Sequence, residues 1–313
     1  MKAFPLISIV IPVYNAGPYV AEAVASAVNQ SYANIEIICV DDCSNDNSSA
    51  VLRDLEREHE KVSVISLSVN RGASAARNVG INRARGEFIL PLDADDYIER
   101  DYCKIAMDVF ATNPSVSVVY ARCRKFNDQS AWDWDLPEYS KEEMMGGNCV
   151  HVCGFFRKVD WTRFGGYDER LVALEDYDFW LYFTEEESIF YRIEDRLFCY
   201  RQHASHDSVT ASFKKDRFRE NTATLQVYLN HKDLFRDYFA NIDLPEVDCY
   251  VKRILLNFLG LFVIVEKKRK YTCRYRKVYI SILGLPFVGL ARSGSKIEFF
   301  LLGLKVYKNS RAV

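Results

Sequence analysis

Short apolar runs that stop in polar residues recur along the first hundred residues, each followed by a stretch with helical spacing. Leu6 to Pro12 is a β-branched run ended by proline, and a helical pattern follows from Pro18 to about Gln30. Ile35 to Val40 ends in Asp41-Asp42-Cys43-Ser44, and Ser48 to Glu60 reads as a second helix. Val62 to Val69 predicts a third strand, after which Asn70 to Asn78 opens a helix ending near Gly86. Phe88-Ile89-Leu90-Pro91-Leu92 is apolar throughout and runs directly into Asp93-Ala94-Asp95-Asp96. A strand without alternation is buried on both faces, so this one is expected to be central and parallel. Strand and helix alternating at this spacing predict βαβ units, with the polar strand ends gathered at the sheet edge that binds ligands.

Beyond residue 100 the pattern loosens. Val116 to Tyr120 predicts a strand, and Asp128 to Asp135 has no clear core face. That segment is expected to be a variable loop, or to pack Trp132 and Trp134 down on the domain. Cys149 to Arg157 reads as extended, Lys158 to Phe164 as a short helix, and Leu174-Glu175-Asp176 as the start of a helix reaching about Glu186. From Phe213 helices are expected at Lys214 to Asn230 and Glu246 to Lys267. Ile282 to Phe287 and Leu301 to Val306 echo each other and suggest a β-hairpin or paired strands.

Composition narrows the picture. With 313 residues, 49% of them hydrophobic, the chain can bury a large core. A net charge of -2 gives no general attraction to nucleic acid or anionic lipid. Nine cysteines without paired metal spacing predict reduced thiols in a cytosolic compartment, with Cys149 and Cys153 as core residues rather than a zinc site. Met1 to Pro5 leads straight into a strand, so no secretory leader is expected. No apolar stretch reaches the length of a membrane span.

The acids carry the candidate chemistry. If the backbone stays extended past Leu92, Asp93 and Asp95 project to one side and Ala94 to the other, so two hard oxygen ligands converge. Mg²⁺ or Mn²⁺ would relieve their repulsion. The alternative is that Asp95 or Asp96 caps a helix beginning near Glu99. Asp41 and Asp42 divide between a ligand contact and a turn, and Arg77 between an anion contact and a structural ion pair.

Pro12-Val13-Tyr14-Asn15, Val40-Asp41-Asp42-Cys43-Ser44, Asn70 to Gly80 and Leu92 to Asp96, in this order, resemble the family 2 glycosyltransferases of GT-A fold. The resemblance covers about the first two hundred residues. It implies an α/β fold, a Rossmann-like mixed sheet flanked by helices, with a C-terminal helical and hairpin appendage. Residues 1–210 would be the catalytic domain, 1–100 its nucleotide-sugar half and 101–210 its acceptor half, and 211–313 the appendage. It further implies an inverting enzyme that takes a nucleotide diphosphate sugar, with UDP-sugar favoured, and a saccharide or lipid-linked saccharide acceptor of a bacterial surface polysaccharide. Pro12, Tyr14, Asn15, Asp41, Arg77, Asp93 and Ala94 would meet the donor, and Asp93, Asp95 and His203 the metal. Gly165-Gly166-Tyr167-Asp168-Glu169 and Glu175 to Trp180 resemble the acceptor-side motif, making Asp176 the base and Glu175 its neighbouring acid. His206 is expected to face solvent.

The apolar run 254–265 beside Lys267-Lys268-Arg269-Lys270 predicts an interfacial helix, hence peripheral contact through 254–277 with the cytoplasmic face of the inner membrane. Packing on the catalytic domain is the alternative. Two other functions fit an α/β chain of this kind: an inactive saccharide-binding scaffold, and a sugar-phosphate nucleotidyltransferase. The nucleotidyltransferase would need a glycine-rich basic loop near the first strand, which is not seen.

Overall fold

The computed structural model describes residues 4–203 and 217–240, together with the backbone of strands between 252 and 310. Two compact units divide the chain, one built from 1–144 and 148–209, the other from 145–147 and 210–313.

The first unit is organised on one mixed sheet. β1 (Ile7–Val13) is buried along its whole length and pairs in parallel with β2 (Ile35–Asp41) on one side and β4 (Phe88–Pro91) on the other. β3 (Val62–Ser66) extends the parallel set beyond β2. Across β4 the direction changes: β8 (Phe155–Arg157) runs antiparallel to β4 and to β6 (Val116–Phe126). β9 (Ile189–Arg201) lies parallel to β6, β5 (Tyr97–Ile98) closes the far end, and β7 (Ala131–Trp134) pairs with β6. The central position expected for β4 is observed, with a parallel neighbour on one side only.

Pro91 explains where β4 stops. Leu92 N–H donates to Val10 O at 3.0 Å, so the missing N–H of Pro91 faces the β8 side. There the ladder reaches only Phe88 and Ile89, and no donor is lost.

Helices α1 (Val20–Val28), α2 (Ser48–Glu58) and α3 (Ala73–Arg83) cross between the first strands, and α4 (Tyr102–Thr112) leads into β6. α3 lies tight on the sheet because Gly80 carries no side chain; a Cβ there would sit 2.4 Å from Val10 Cγ1. The close approach places Arg77, one turn earlier, at the sheet edge. α3 begins at Ala73 rather than at residue 70. Gly72 has φ +88°, outside the helical region, and the N–H groups of Arg71 and Gly72 are taken by Asp42.

Three further helices lie among the later strands: α5 (Lys141–Gly146), α6 (Lys158–Phe164) and α7 (Glu175–Glu185). α7 is anchored by Phe179, Trp180, Leu181 and Phe183, all fully buried. Phe179 meets Phe156 of β8 edge-on at 4.9 Å. The stretch after Asn113 is more regular than expected, with a long β6 and with β7 in place of a loop. Trp134 packs against Tyr200 at 5.3 Å while Trp132 stays 41% exposed, so the two tryptophans divide between the alternatives.

In the second unit α8 (Arg217–Asn230) matches expectation from residue 217 onward, and α9 (Lys232–Ala240) follows after a break at His231. Among the described residues of 246–267 the expected helix is not found. β10 (Lys252–Phe258) and β11 (Leu261–Lys267) pair antiparallel instead. Ile254, Val263, Ile264 and Val265 are β-branched, and an apolar run of this length does not separate strand from helix. β12 (Tyr275–Ile282), β13 (Leu285–Ser293), β14 (Lys296–Leu301) and β15 (Leu304–Ser310) form an antiparallel sheet. Ile282 pairs with Leu285 and Leu301 with Leu304, so each copy of the sequence echo marks a hairpin reversal. Over the described residues 252–258 and 261–267 strands stand in place of the interfacial helix on which membrane contact through 254–277 rested. Lys268 to Arg274, and His206, lie outside the described residues. Among the described residues no helix is long and apolar enough to cross a membrane.

Candidate active site

The carboxyl ends of β1, β2 and β4 bring three loops to one edge. After β1, Tyr14 is exposed and Asn15 adopts φ +50°, with its side-chain oxygen accepting from Asn45 N at 2.8 Å. Pro12 is buried inside β1 opposite Val40. After β2, both acids are buried and form turns. Asp41 accepts from Ser44 N at 3.0 Å, and Asp42 accepts from Arg71 N at 2.8 Å and Gly72 N at 2.7 Å. Asp42 thus fixes the loop that launches α3.

After β4 the backbone turns instead of staying extended, with Asp96 N bonded to Asp93 O at 3.1 Å. The turn overturns the expected geometry in which Asp93 and Asp95 share one direction. Asp93 meets the Arg77 guanidinium at 2.6 Å, and Asp95 lies 2.7 Å from His203 Nε2. Ala94 is buried between them in the chain. Asp96 is buried and accepts from Arg201 N at 2.8 Å; neither it nor Asp95 caps α4, which starts after Asp101. Burial and the nearby Asp93 push the Asp95 carboxyl above the ordinary range. His203 is held in place by the ring of Tyr19, 4.9 Å away, and Arg201 braces the turn by donating from Nε to Asp95 O at 2.8 Å while pairing with Glu22.

Arg77 joins this turn to α7. Its guanidinium is 3% exposed and donates to Asp93 and to Glu175, both at 2.6 Å. The two carboxylates hold it firmly protonated despite its burial. Of the anion contact and the structural ion pair left as alternatives by the sequence, the structure shows the ion pair, made with Asp93 and Glu175.

Asp176 is next to Glu175 but is held differently. Leu174 enters α7 with φ +66°, and Asp176 accepts from Tyr177 N at 2.8 Å and from Asn148 Nδ2 at 2.9 Å. Among the described residues no cation touches it. Burial, then the negative Glu175 beside it, push its carboxyl up to about 7. Asp93 lies within electrostatic reach of both Asp95 and Asp176. The acids of the β4 turn and of α7 therefore share one neighbourhood.

The expected metal set is only partly assembled. Among the described residues no three His, Cys, Asp or Glu side chains converge on one point, because Asp93 is turned to Arg77. Asp95 and His203 remain a carboxylate and an imidazole in contact, a donor pair that suits a divalent cation whose other ligands come from phosphate oxygens and water. Sequence reading missed Asn148, Arg201 and Tyr167, the last buried with Arg77 5.7 Å above its ring. Tyr167 and Arg201 stand within runs whose other residues were singled out, Asn148 does not, and each matters through a partner about 30 to about 110 positions away.

Residues 8–166 match the family described as Glycosyl transferase family 2. Chondroitin synthase of Escherichia coli is 31% identical over 190 residues, which are 59% of this chain and 27% of that protein. The chain thus spans about a quarter of that relative's length. Among solved structures, residues 1–349 of S. aureus TarS in complex with UDP-GlcNAc are similar at TM-score 0.59 and 21% identity, over 77% of this chain and 68% of that one. A mannosyltransferase from Pyrobaculum calidifontis in complex with GDP-Man and Mn2+ gives 0.55 and 18%, over 78% and 67%. These likenesses show the GT-A fold expected from the sequence.

Proposed function

For a chain that belongs to glycosyl transferase family 2, we propose a metal-dependent inverting transfer of a sugar from a UDP-sugar to a hydroxyl of a saccharide or lipid-linked saccharide, in bacterial cell-surface polysaccharide synthesis at the cytoplasmic side. The observation that carries this reading is Arg77, a buried cation that ties the β4 turn to the first turn of α7 and so places Asp176 beside the acids of the donor edge.

In this mechanism Tyr14, Asn15 and Asp41 line the nucleoside side, and Asp93, with Ala94, borders the sugar diphosphate. Asp95 and His203 would hold Mn²⁺ or Mg²⁺. The chemistry such a cation supplies is neutralisation of charge on the departing diphosphate. Asp176 accepts the proton of the acceptor hydroxyl as its oxygen bonds the anomeric carbon and the bond to the diphosphate breaks on the opposite face. A carboxyl held near neutrality suits a base working near neutral pH, because it is both ionised and basic. Glu175, already paired, holds Arg77 in register. UDP-GlcNAc bound to TarS and polymer synthesis by the chondroitin relative support the donor and acceptor classes.

Turnover of a panel of UDP-sugars and GDP-mannose with and without Mn²⁺ tests the reading. Metal-dependent release of UDP is expected, and release of pyrophosphate from a sugar phosphate and UTP, or binding without turnover, would overturn it.

A further inference from the structure

We propose that Asn148 is a positioning residue for the base, its side-chain amide fixing the Asp176 carboxylate in place and in its ionised form. The inference rests on the reading of Asp176 given above. Asn148 Oδ1 accepts from Val150 N at 3.2 Å, so the amide is oriented with Nδ2 toward Asp176 Oδ2, 2.9 Å away. The segment behind it is anchored: Cys149 and Val150 are buried, and the His151 ring bonds Ala121 O at 2.8 Å. The other oxygen of Asp176 is held by Tyr177 N, a bond within the helix's own first turn. Among the described residues Asn148 is therefore the donor that ties the base to another part of the fold.

The groups facing Asp176 explain why a neutral donor matters. Glu175 and Asp93 raise its proton affinity, Arg77 lowers it, and Tyr167 lies buried nearby. Arg77 is engaged by Glu175 and Asp93 and does not touch Asp176. A hydrogen bond to the charged form favours that form, and an amide supplies it without adding a cation that would make the carboxylate a weaker base.

The test is the titration of the Asp176 carboxyl, read by carbon NMR on the full chain labelled at aspartate, beside the pH profile of UDP-sugar turnover. Loss of one hydrogen bond to a carboxylate shifts its titration by about one pH unit, roughly tenfold in rate below the acidic limb. Asn148→Ala is expected to move both upward by that amount and to recover most of its rate above the limb. Asn148→Asp, of the same size and suited to folding if the alanine variant fails, should move them further, and Asn148→Ser should restore part of the shift. An unmoved titration in both the alanine and aspartate variants, or a rate loss equal at every pH, would overturn the proposal. Turnover retained by Asp176→Asn would instead reject the base, and the titration would still report on Asn148.

Discussion

The turn after β4 and the first turn of α7 are both acidic, and the fold treats them differently. In the β4 turn Asp93 has Arg77, Asp95 has His203, and Asp96 has the backbone of Arg201. In α7 Glu175 shares Arg77, whereas Asp176 receives, among the described residues, only neutral N–H groups. Opposite charge lowers a carboxyl's proton affinity and burial raises it, and burial with a negative neighbour raises that of Asp176. Burial raises the proton affinity of Asp95 as well, so the difference lies in the partners: Asp93, Asp95 and Glu175 each face an arginine or an imidazole, while the charge of Asp176 is met by neutral donors alone among the described residues and is left costly.

The largest effect should come from removing that costly charge. Asp176→Asn is expected to lower transfer by about 10² to 10⁴, the usual share of a general base. It should not lower thermal stability. The carboxyl titrates near 7 in the folded chain and near 4 when unfolded, so ionisation weakens the native state progressively as pH rises across that interval. The melting temperature of Asp176→Asn relative to the parent should therefore be more favourable at pH 8 than at pH 5. A variant that melts lower at pH 8 would erase the distinction between the two turns.

Arg77→Met is the next largest change. It leaves Asp93 and Glu175 without their cation in a half-buried site, and removing one partner of a buried pair costs about 3–5 kcal/mol. Chemical denaturation should show it, with activity lost as α7 detaches from the β4 turn. His203→Ala should spare the fold, since the ring lies at the end of β9, and should raise the Mn²⁺ concentration needed for half-maximal turnover by on the order of tenfold. Unchanged metal dependence would remove His203 from the cation site. Arg57→Ala, which breaks an exposed pair with Asp54 on α2, should change stability by less than about 0.5 kcal/mol and turnover not at all.

Much of the first unit could be read from the chain because β1, β2 and β4 are buried on both faces, which leaves uninterrupted apolar runs whose polar ends mark the ligand edge. The direction of Asp93 and Asp95 could not be read that way. The backbone turns after Leu92, and the side chains that meet the turn, Arg77, Arg201 and His203, come from 16 to 108 positions away. Asn148 was invisible for the same reason, its role arising from one contact across 28 positions. In the second unit the error was of period: Ile254 to Val265 is apolar enough for either element, and pairing across the chain settled it as strand.

The most direct measurement is UDP release from a UDP-sugar with Mn²⁺ by the parent and Asp176→Asn, with UDP binding followed in both. Equal binding with turnover lost in the variant is the predicted result. Turnover at the parent rate by Asp176→Asn would contradict the assignment of the base.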